Sequence, residues 1–191
     1  NCGVALAILD RLRAAGFECD ERSVAIGLAT TQRRGRAEQV WDEPRVVIDG
    51  AHTHESVRAL VNALGATEKF DSLVAIFGCA ADKNVEAMLD EVSRGADKVI
   101  FTAAQSNPRA MEPGELASMF EARNEKMSQI EPDVRTAINA AARAVGRDDI
   151  ILVTGSFYLA GEAKALFDSK REEQREATRR GDHTRSHAGS A

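Results

Sequence analysis

The sequence is poor in cysteine and has no long hydrophobic run. Three cysteines are spread over 191 residues without a CxxC pair, which argues against a disulfide framework or a zinc site and indicates reduced thiols in a cytoplasmic protein. No stretch approaches the roughly 18 consecutive apolar residues of a membrane-spanning helix, so we expect no membrane partner. Basic residues are not in excess either: 25 Lys and Arg stand against 30 Asp and Glu, which disfavours nucleic acid as a partner.

Three motifs of common enzyme classes are absent as well. The sequence contains no GxxxxGK[ST] loop, so it does not cradle a triphosphate in the manner of P-loop proteins. No GxGxxG follows a predicted strand, which disfavours a dinucleotide-binding domain, and no GxSxG motif supports a hydrolase. Hydrophobic residues nevertheless make up 43% of the chain, which is enough to form a folded core.

Short β-branched runs alternate with amphipathic helical patterns from residue 46 onward. The runs at 46–48, 73–77, 99–101 and 150–153 lack polar alternation, as expected of strands covered on both faces of a parallel sheet. Weaker strands are predicted at 37–41 and 127–130, and helices are predicted between the later strands and after Ser156. This order predicts an α/β fold of the three-layer, Rossmann-like type, with a mostly parallel sheet flanked by helices.

The remaining segments divide the chain into three parts. Helices are predicted at 3–15 and 21–28, and a polar stretch after them separates residues 1–30 from the α/β domain at 31–167. The tail, residues 168–191, has no apolar stripe and is predicted to be a frayed helix extension that runs into disorder. Because the chain begins at Asn1 without a methionine, we expect it to be part of a longer protein.

Polar clusters follow four of the predicted strands. They occupy residues 49–52 (DGAH), 78–83 (GCAADK), 102–109 (ending in SNPR) and 154–156 (TGS). Ligands of open α/β sheets bind at the carboxyl ends of the strands, so these clusters predict a site for a small polar or anionic ligand. Gly50, Gly78 and Gly155 are expected to let the backbone approach that ligand closely.

Each cluster also has a purely structural interpretation. Asp49 could cap the helix that follows it, and Asp82 with Lys83 could be a helix cap and a surface charge. Ser156 could cap the last helix, and His52 on its own is more often structural than catalytic. The coincidence of all four clusters at one sheet edge favours a ligand site over these separate explanations.

Four short segments of the chain together resemble a known family. Residues 35–38 (GRAE), 49–52 (DGAH), 82–84 (DKN) and 154–156 (TGS) are similar to the C-terminal, glutamate-ligase domain of folylpolyglutamate synthase/dihydrofolate synthase, a member of the Mur ligase superfamily. The thirteen-residue spacing between Arg36 and Asp49, together with DGAH, is the most specific part of the resemblance. Residues 1–30 then resemble the helical end of the family's central ATPase domain.

The resemblance implies an ATP-dependent ligase that adds L-glutamate to a folate or pteroate substrate through an acyl phosphate. In the nucleotide site, Arg36 would contact a phosphate, Asp49 would hold the ribose, and Asn1 would lie near the adenine. ATP and Mg²⁺ are the implied cofactors. The magnesium ligands and the P-loop are expected upstream, so this chain should hold no metal and no catalytic residue of its own. It should be inactive alone. We expect a monomer.

The resemblance also implies that the C-terminal domain binds the incoming glutamate. His52 and Ser156 match the family's contacts for this amino acid, and Lys83 is a further candidate partner for a carboxylate.

Two departures and two alternatives stay open from the sequence alone. The family usually has Asn-Pro after DGAH, where this chain has Thr53 and His54, and it often has Pro before the Gly-Arg pair, where this chain has Arg34. One alternative function is a stand-alone nucleotide- or metabolite-binding α/β module without ligase chemistry. The other is a cell-wall peptide ligase domain from the same superfamily.

Overall fold

The computed structural model describes residues 2–188 and divides the chain into two compact units, with the boundary between Arg34 and Gly35. The N-terminal unit contains helices α1 (Cys2–Ala14) and α2 (Glu21–Thr30). Asp20 caps α2 because its carboxylate accepts the backbone N–H of Ser23 at 2.9 Å. Both helices were predicted, with bounds that differ by one or two residues.

The main unit is built on one six-stranded sheet. Its strands are β1 (Glu38–Trp41), β2 (Arg45–Ile48), β3 (Leu73–Phe77), β4 (Lys98–Phe101), β5 (Met127–Ile130) and β6 (Ile150–Thr154). The spatial order is β1-β2-β6-β3-β4-β5, and every pair is parallel except β1 with β2. All six strands were predicted, including the two weak ones, and the mostly parallel sheet is confirmed.

Helices cover both faces of this sheet. They are α3 (His54–Thr67), α4 (Val85–Gly95), α5 (Pro113–Glu121), α6 (Val134–Ala144) and α7 (Phe157–Ala188). One apolar cluster joins the sheet to α3, α4 and α5, and a second joins its other face to α6 and α7. The predicted three-layer arrangement is therefore confirmed. Within residues 2–188, no helix is both long and apolar enough to span a membrane.

Residues other than the predicted ones cap the helices next to the polar clusters. Thr53 forms a capping box with Ser56 at the start of α3, so the cap role considered for Asp49 is wrong. Asn84 caps α4 by accepting the N–H of Ala87, so Asp82 is not the cap of that helix.

The Thr53-His54 pair also explains a departure from the family pattern. His54 Nε2 donates to Glu91 Oε1 at 2.8 Å, and this oxygen also accepts from Arg94 at 2.7 Å. Burial opposes ionisation of Glu91, but the two hydrogen bonds keep the pKa of its carboxyl below the ordinary value. His54 thus ties α3 to α4, while Thr53 supplies the cap.

The last helix extends into the predicted tail. A frayed helix extension running into disorder was expected for residues 168–191; α7 continues to Ala188, and residues 189–191 lie outside the described part of the chain. Arg171 Nη2 donates to the carbonyl of Val40 at 2.6 Å, and the rings of Trp41 and Phe167 lie 5.3 Å apart. The tail is rich in Arg, Glu and Ala, and these good helix formers carry α7 beyond its apolar stripe.

Candidate functional site

The strand order brings the four polar clusters to one edge of the sheet. Because β2, β6, β3 and β4 are parallel neighbours, residues 49–52, 154–156, 78–83 and 102–109 all follow strands that end at this edge. A cleft of about 190 Å³ opens there. Its lining residues are His52, Ala80, Lys83, Asn107, Arg109, Gly155, Ser156, Phe157 and Tyr158. The predicted glutamate residues His52, Lys83 and Ser156 therefore share one cleft.

The charges around this cleft favour an anion. Lys83 and Arg109 contribute cations, and none of the residues that line the cleft carries a carboxylate. Asp82 lies beside them and joins the two cations, with its Oδ2 at 3.0 Å from Arg109 Nη1 and at 3.9 Å from Lys83 Nζ. An ammonium and a guanidinium held at one rim suit a small ligand with carboxylate groups.

The hydroxyl of Ser156 caps a helix and can still donate a hydrogen bond. Its side chain is 6% exposed, and its Oγ accepts the N–H of Leu159 at 3.1 Å, so the cap interpretation is confirmed. An accepted bond leaves the hydroxyl proton available for donation. The start of α7 also directs backbone N–H groups and the positive end of the helix dipole toward the cleft, which again favours an anion.

The ring of His52 is held in one orientation. Its Nδ1 lies 2.8 Å from the carbonyl oxygen of Gly50, and its backbone N–H donates to Ser56 Oγ at 3.0 Å. Because a carbonyl oxygen only accepts, Nδ1 carries a proton. In the neutral ring Nε2 is then an acceptor that suits an amine, and in the imidazolium form it becomes a donor that suits a carboxylate.

Asp49 fixes the loop that carries Arg36. The residue is 8% exposed, and its carboxylate accepts two backbone N–H groups, from Ala37 at 2.8 Å and from Ala51 at 2.7 Å. The loop at 35–37 is further tied by a hydrogen bond from the N–H of Gly50 to the carbonyl of Gly35 at 2.9 Å. Each carboxylate oxygen retains a lone pair, so this role leaves acceptors for a ligand hydroxyl.

Arg36 is exposed at the tip of this loop. Its guanidinium carbon lies 4.9 Å from the centre of the Phe157 ring. Among the side chains that the structure describes, which end at residue 179, Arg36 has no ion-pair or hydrogen-bond partner. Its donors are therefore available to a ligand. Asn1, the third residue predicted for the nucleotide site, lies outside the described residues.

The three glycines of the polar clusters lie close to other residues of the chain. A ligand was the expected neighbour. A Cβ on Gly50 would lie 2.2 Å from Phe157 Cδ1, and one on Gly78 would lie 2.2 Å from the carbonyl oxygen of Thr102. Gly155 has a φ of +107°, and its Cβ position lies 2.6 Å from the carbonyl oxygen of Gly78. These glycines therefore let the loops of the site pack against each other, while the close approach of a ligand stays a prediction.

Four polar or aromatic residues of the cleft were not among the predicted site residues. Arg109 and Asn107 belong to a predicted cluster, and their position after β4 was the signal that could have singled them out. Phe157 and Tyr158 carried no such signal, because aromatic residues at the start of a helix are typical of the core. In the structure they are 43% and 46% exposed at the cleft.

The cysteine at this edge of the sheet is buried. Burial, together with the nearby Asp82, raises the pKa of the Cys79 thiol to about 12, so this side chain stays protonated and unreactive. Across the described part of the chain, no group of three or more His, Cys, Asp and Glu side chains is arranged to hold a metal ion.

Most of the main unit matches a known protein family. The family profile described as "Mur ligase, glutamate ligase domain" matches residues 35–157. Folylpolyglutamate synthase of Mycobacterium tuberculosis, solved in complex with ADP, is 30% identical, with a TM-score of 0.75 over 80% of this chain and 36% of its own. A bifunctional folylpolyglutamate synthase/dihydrofolate synthase with Mn, AMPPNP and L-glutamate bound is 25% identical, with a TM-score of 0.73 over 84% of this chain and 38% of its own.

A cell-wall enzyme is similar to the same part of the chain. The UDP-N-acetylmuramoyl-L-alanyl-D-glutamate--2,6-diaminopimelate ligase of Janthinobacterium is 31% identical over 165 residues, which cover 81% of this chain and 32% of that ligase. The chain spans only 19% to 38% of the lengths of the first curated relatives that match it.

Proposed function

This chain belongs to the Mur ligase glutamate-ligase domain family, and on that premise we propose that it supplies the glutamate-binding domain of an ATP-dependent folate ligase. The observation that carries the proposal is the cleft at the carboxyl edge of the sheet, which combines cations and a helix N-terminus without a lining carboxylate. Its volume of about 190 Å³ is below the range of drug-sized ligands and suits a single amino acid.

The cleft offers a separate partner for each end of glutamate. Lys83 and Arg109 are cations for its carboxylates, and the Ser156 hydroxyl is a neutral donor to one of them. The neutral His52 ring presents Nε2 as an acceptor for the amino group. A bound glutamate would thus be held by its acidic groups while its amine stays at the edge of the sheet.

The nucleotide would bind beside this cleft, on the Arg36 loop. Arg36 has no ionic partner among the described side chains and offers a planar guanidinium to a phosphate. Asp49 retains acceptor lone pairs for ribose hydroxyls. Asn1 is proposed on the adenine side. Mg²⁺ would neutralise phosphate charge when bound, but the described residues do not form a metal site, so its ligands would come from outside them.

The complete ligase would form an amide in two stages. ATP would phosphorylate a carboxylate of the folate or pteroate substrate, and the amine of glutamate would attack the resulting acyl phosphate, with phosphate as the leaving group. The described residues lack the parts that phosphoryl transfer needs, so residues 1–191 alone should not turn over. A cell-wall ligase domain is the second candidate, favoured by the similarity to the diaminopimelate-adding enzyme.

Substitutions of His52 and Ser156 in the complete ligase test the glutamate assignment. His52→Ala and Ser156→Ala should each raise the KM for glutamate about tenfold or more and leave the KM for ATP near normal, because hydrogen bonds to charged groups contribute about 1.5–3 kcal/mol. His54→Ala is the matched control for the histidine: it breaks the bond to Glu91 and should lower the melting temperature without changing the glutamate KM.

A second variant separates the two roles of Ser156. Ser156→Asp keeps an acceptor for the Leu159 N–H but removes the hydroxyl proton and adds a negative charge. We expect a near-normal melting temperature and a raised glutamate KM. A normal glutamate KM in both Ser156 variants, beside a melting temperature lowered only in Ser156→Ala, would reduce this residue to a helix cap.

A further inference from the structure

Phe157 lies where the two halves of the candidate site meet. It is the first residue of α7, and its ring packs against the backbone of both loops at the sheet edge. A Cβ on Gly50 would overlap three ring atoms at 2.2–2.6 Å, and one on Gly35 would lie 3.6 Å from Cε1. The ring thus packs directly on the backbone of Gly50 and Gly35. These two glycines are joined by a hydrogen bond from the N–H of Gly50 to the carbonyl of Gly35.

The same ring contacts the side chains on either side of it. The guanidinium of Arg36 lies over its face, at 4.9 Å from the centre, and the His52 ring is tilted against it with 5.7 Å between the centres. Arg36 belongs to the proposed nucleotide site and His52 to the glutamate cleft. One exposed aromatic ring therefore touches a residue of each ligand site.

We propose that Phe157 is a positioning residue that holds the Arg36 guanidinium in place for the nucleotide phosphate; this inference rests on the proposed function. A free arginine samples many rotamers and loses that freedom when it binds. The described side chains give Arg36 no ionic partner, so the ring face is the contact that restricts it before the nucleotide arrives. Attraction between a cation and an aromatic face is direct and needs no carboxylate, which would compete with a phosphate.

Leucine and tyrosine substitutions of Phe157 distinguish an effect of the aromatic ring from an effect of side-chain size. Phe157→Leu keeps an apolar side chain but removes the ring, and in the complete ligase we expect about a two- to fivefold rise in the KM for ATP. Phe157→Tyr keeps the ring and should leave the KM for ATP near that of the unaltered enzyme. Phe167→Leu is the control on the same helix: its buried ring packs on Trp41, so it should lower the melting temperature without changing the KM for ATP.

A double-mutant cycle with Arg36→Ala completes the test. If the ring acts through Arg36, Phe157→Leu should have no further effect on the KM for ATP once Arg36 is alanine. A normal KM for ATP in Phe157→Leu, or an equal rise with and without Arg36, would overturn the positioning role even if Arg36→Ala alone weakens ATP. An unchanged KM for ATP in Arg36→Ala would instead remove the proposed nucleotide contact itself.

Discussion

Gly78→Ala should lower the free energy of unfolding by about 2–3 kcal/mol, because the added methyl group would overlap buried backbone. Gly78 directly follows β3, and its Cβ position lies 2.2 Å from the backbone oxygen of Thr102 and 3.4 Å from Leu159. Both loops are buried against the sheet, so the overlap cannot be relieved by turning a side chain. In a thermal melt, the expected fall is roughly 5–10 °C.

Gly65→Ala is the matched control. Gly65 lies in α3, and a Cβ there meets nothing within 4 Å. Alanine favours the helix over glycine by roughly 0.5–1 kcal/mol, so this variant should melt at the same temperature or slightly higher. Equal melting temperatures for both variants would mean that residue 78 is not packed as the structure describes.

Arg36→Ala should weaken ATP about ten- to hundredfold in the complete ligase and leave the KM for glutamate near normal. A guanidinium that contacts a phosphate makes charge-assisted hydrogen bonds worth about 1.5–3 kcal/mol. Arg36→Lys keeps the charge but loses the planar fork, so its effect should be intermediate. Arg34→Ala removes a neighbouring positive charge whose Nε bonds to Gln32, and it should change little.

Asp49→Ala tests the other side of the same loop. Its loss frees the N–H groups of Ala37 and Ala51, so we expect a lowered melting temperature together with weaker ATP binding. Unchanged ATP dependence in both Asp49→Ala and Arg36→Ala would place the nucleotide elsewhere.

The sheet and its polar edge were predictable because each depends on a local pattern. Apolar runs such as 73–77 mark buried parallel strands, and residues that follow parallel strands must meet at one edge. A shared cleft of His52, Lys83 and Ser156 also needs β2, β6 and β3 to be neighbours, which the strand order of the sheet shows.

Other features depend on contacts between distant residues. Nothing in the sequence around Phe157 indicates that its ring is seated on Gly35 and Gly50, because these residues lie more than a hundred positions away. The same holds for Asp49, whose two carboxylate oxygens each accept one backbone N–H, from a loop twelve residues earlier and from its own turn. The end of α7 is hard to predict for another reason: its tail is helical by residue preference and carries no apolar stripe.

The most direct test of the central claim is the mass of the product made by the complete ligase. The enzyme would be supplied with ATP, Mg²⁺, a folate acceptor, a cell-wall precursor acceptor, and an equal mixture of glutamate and diaminopimelate. The account predicts a folate or pteroate product that is heavier by glutamate residues, formed together with ADP. A product in which the cell-wall precursor has gained diaminopimelate, with the folate acceptor unchanged, would contradict it.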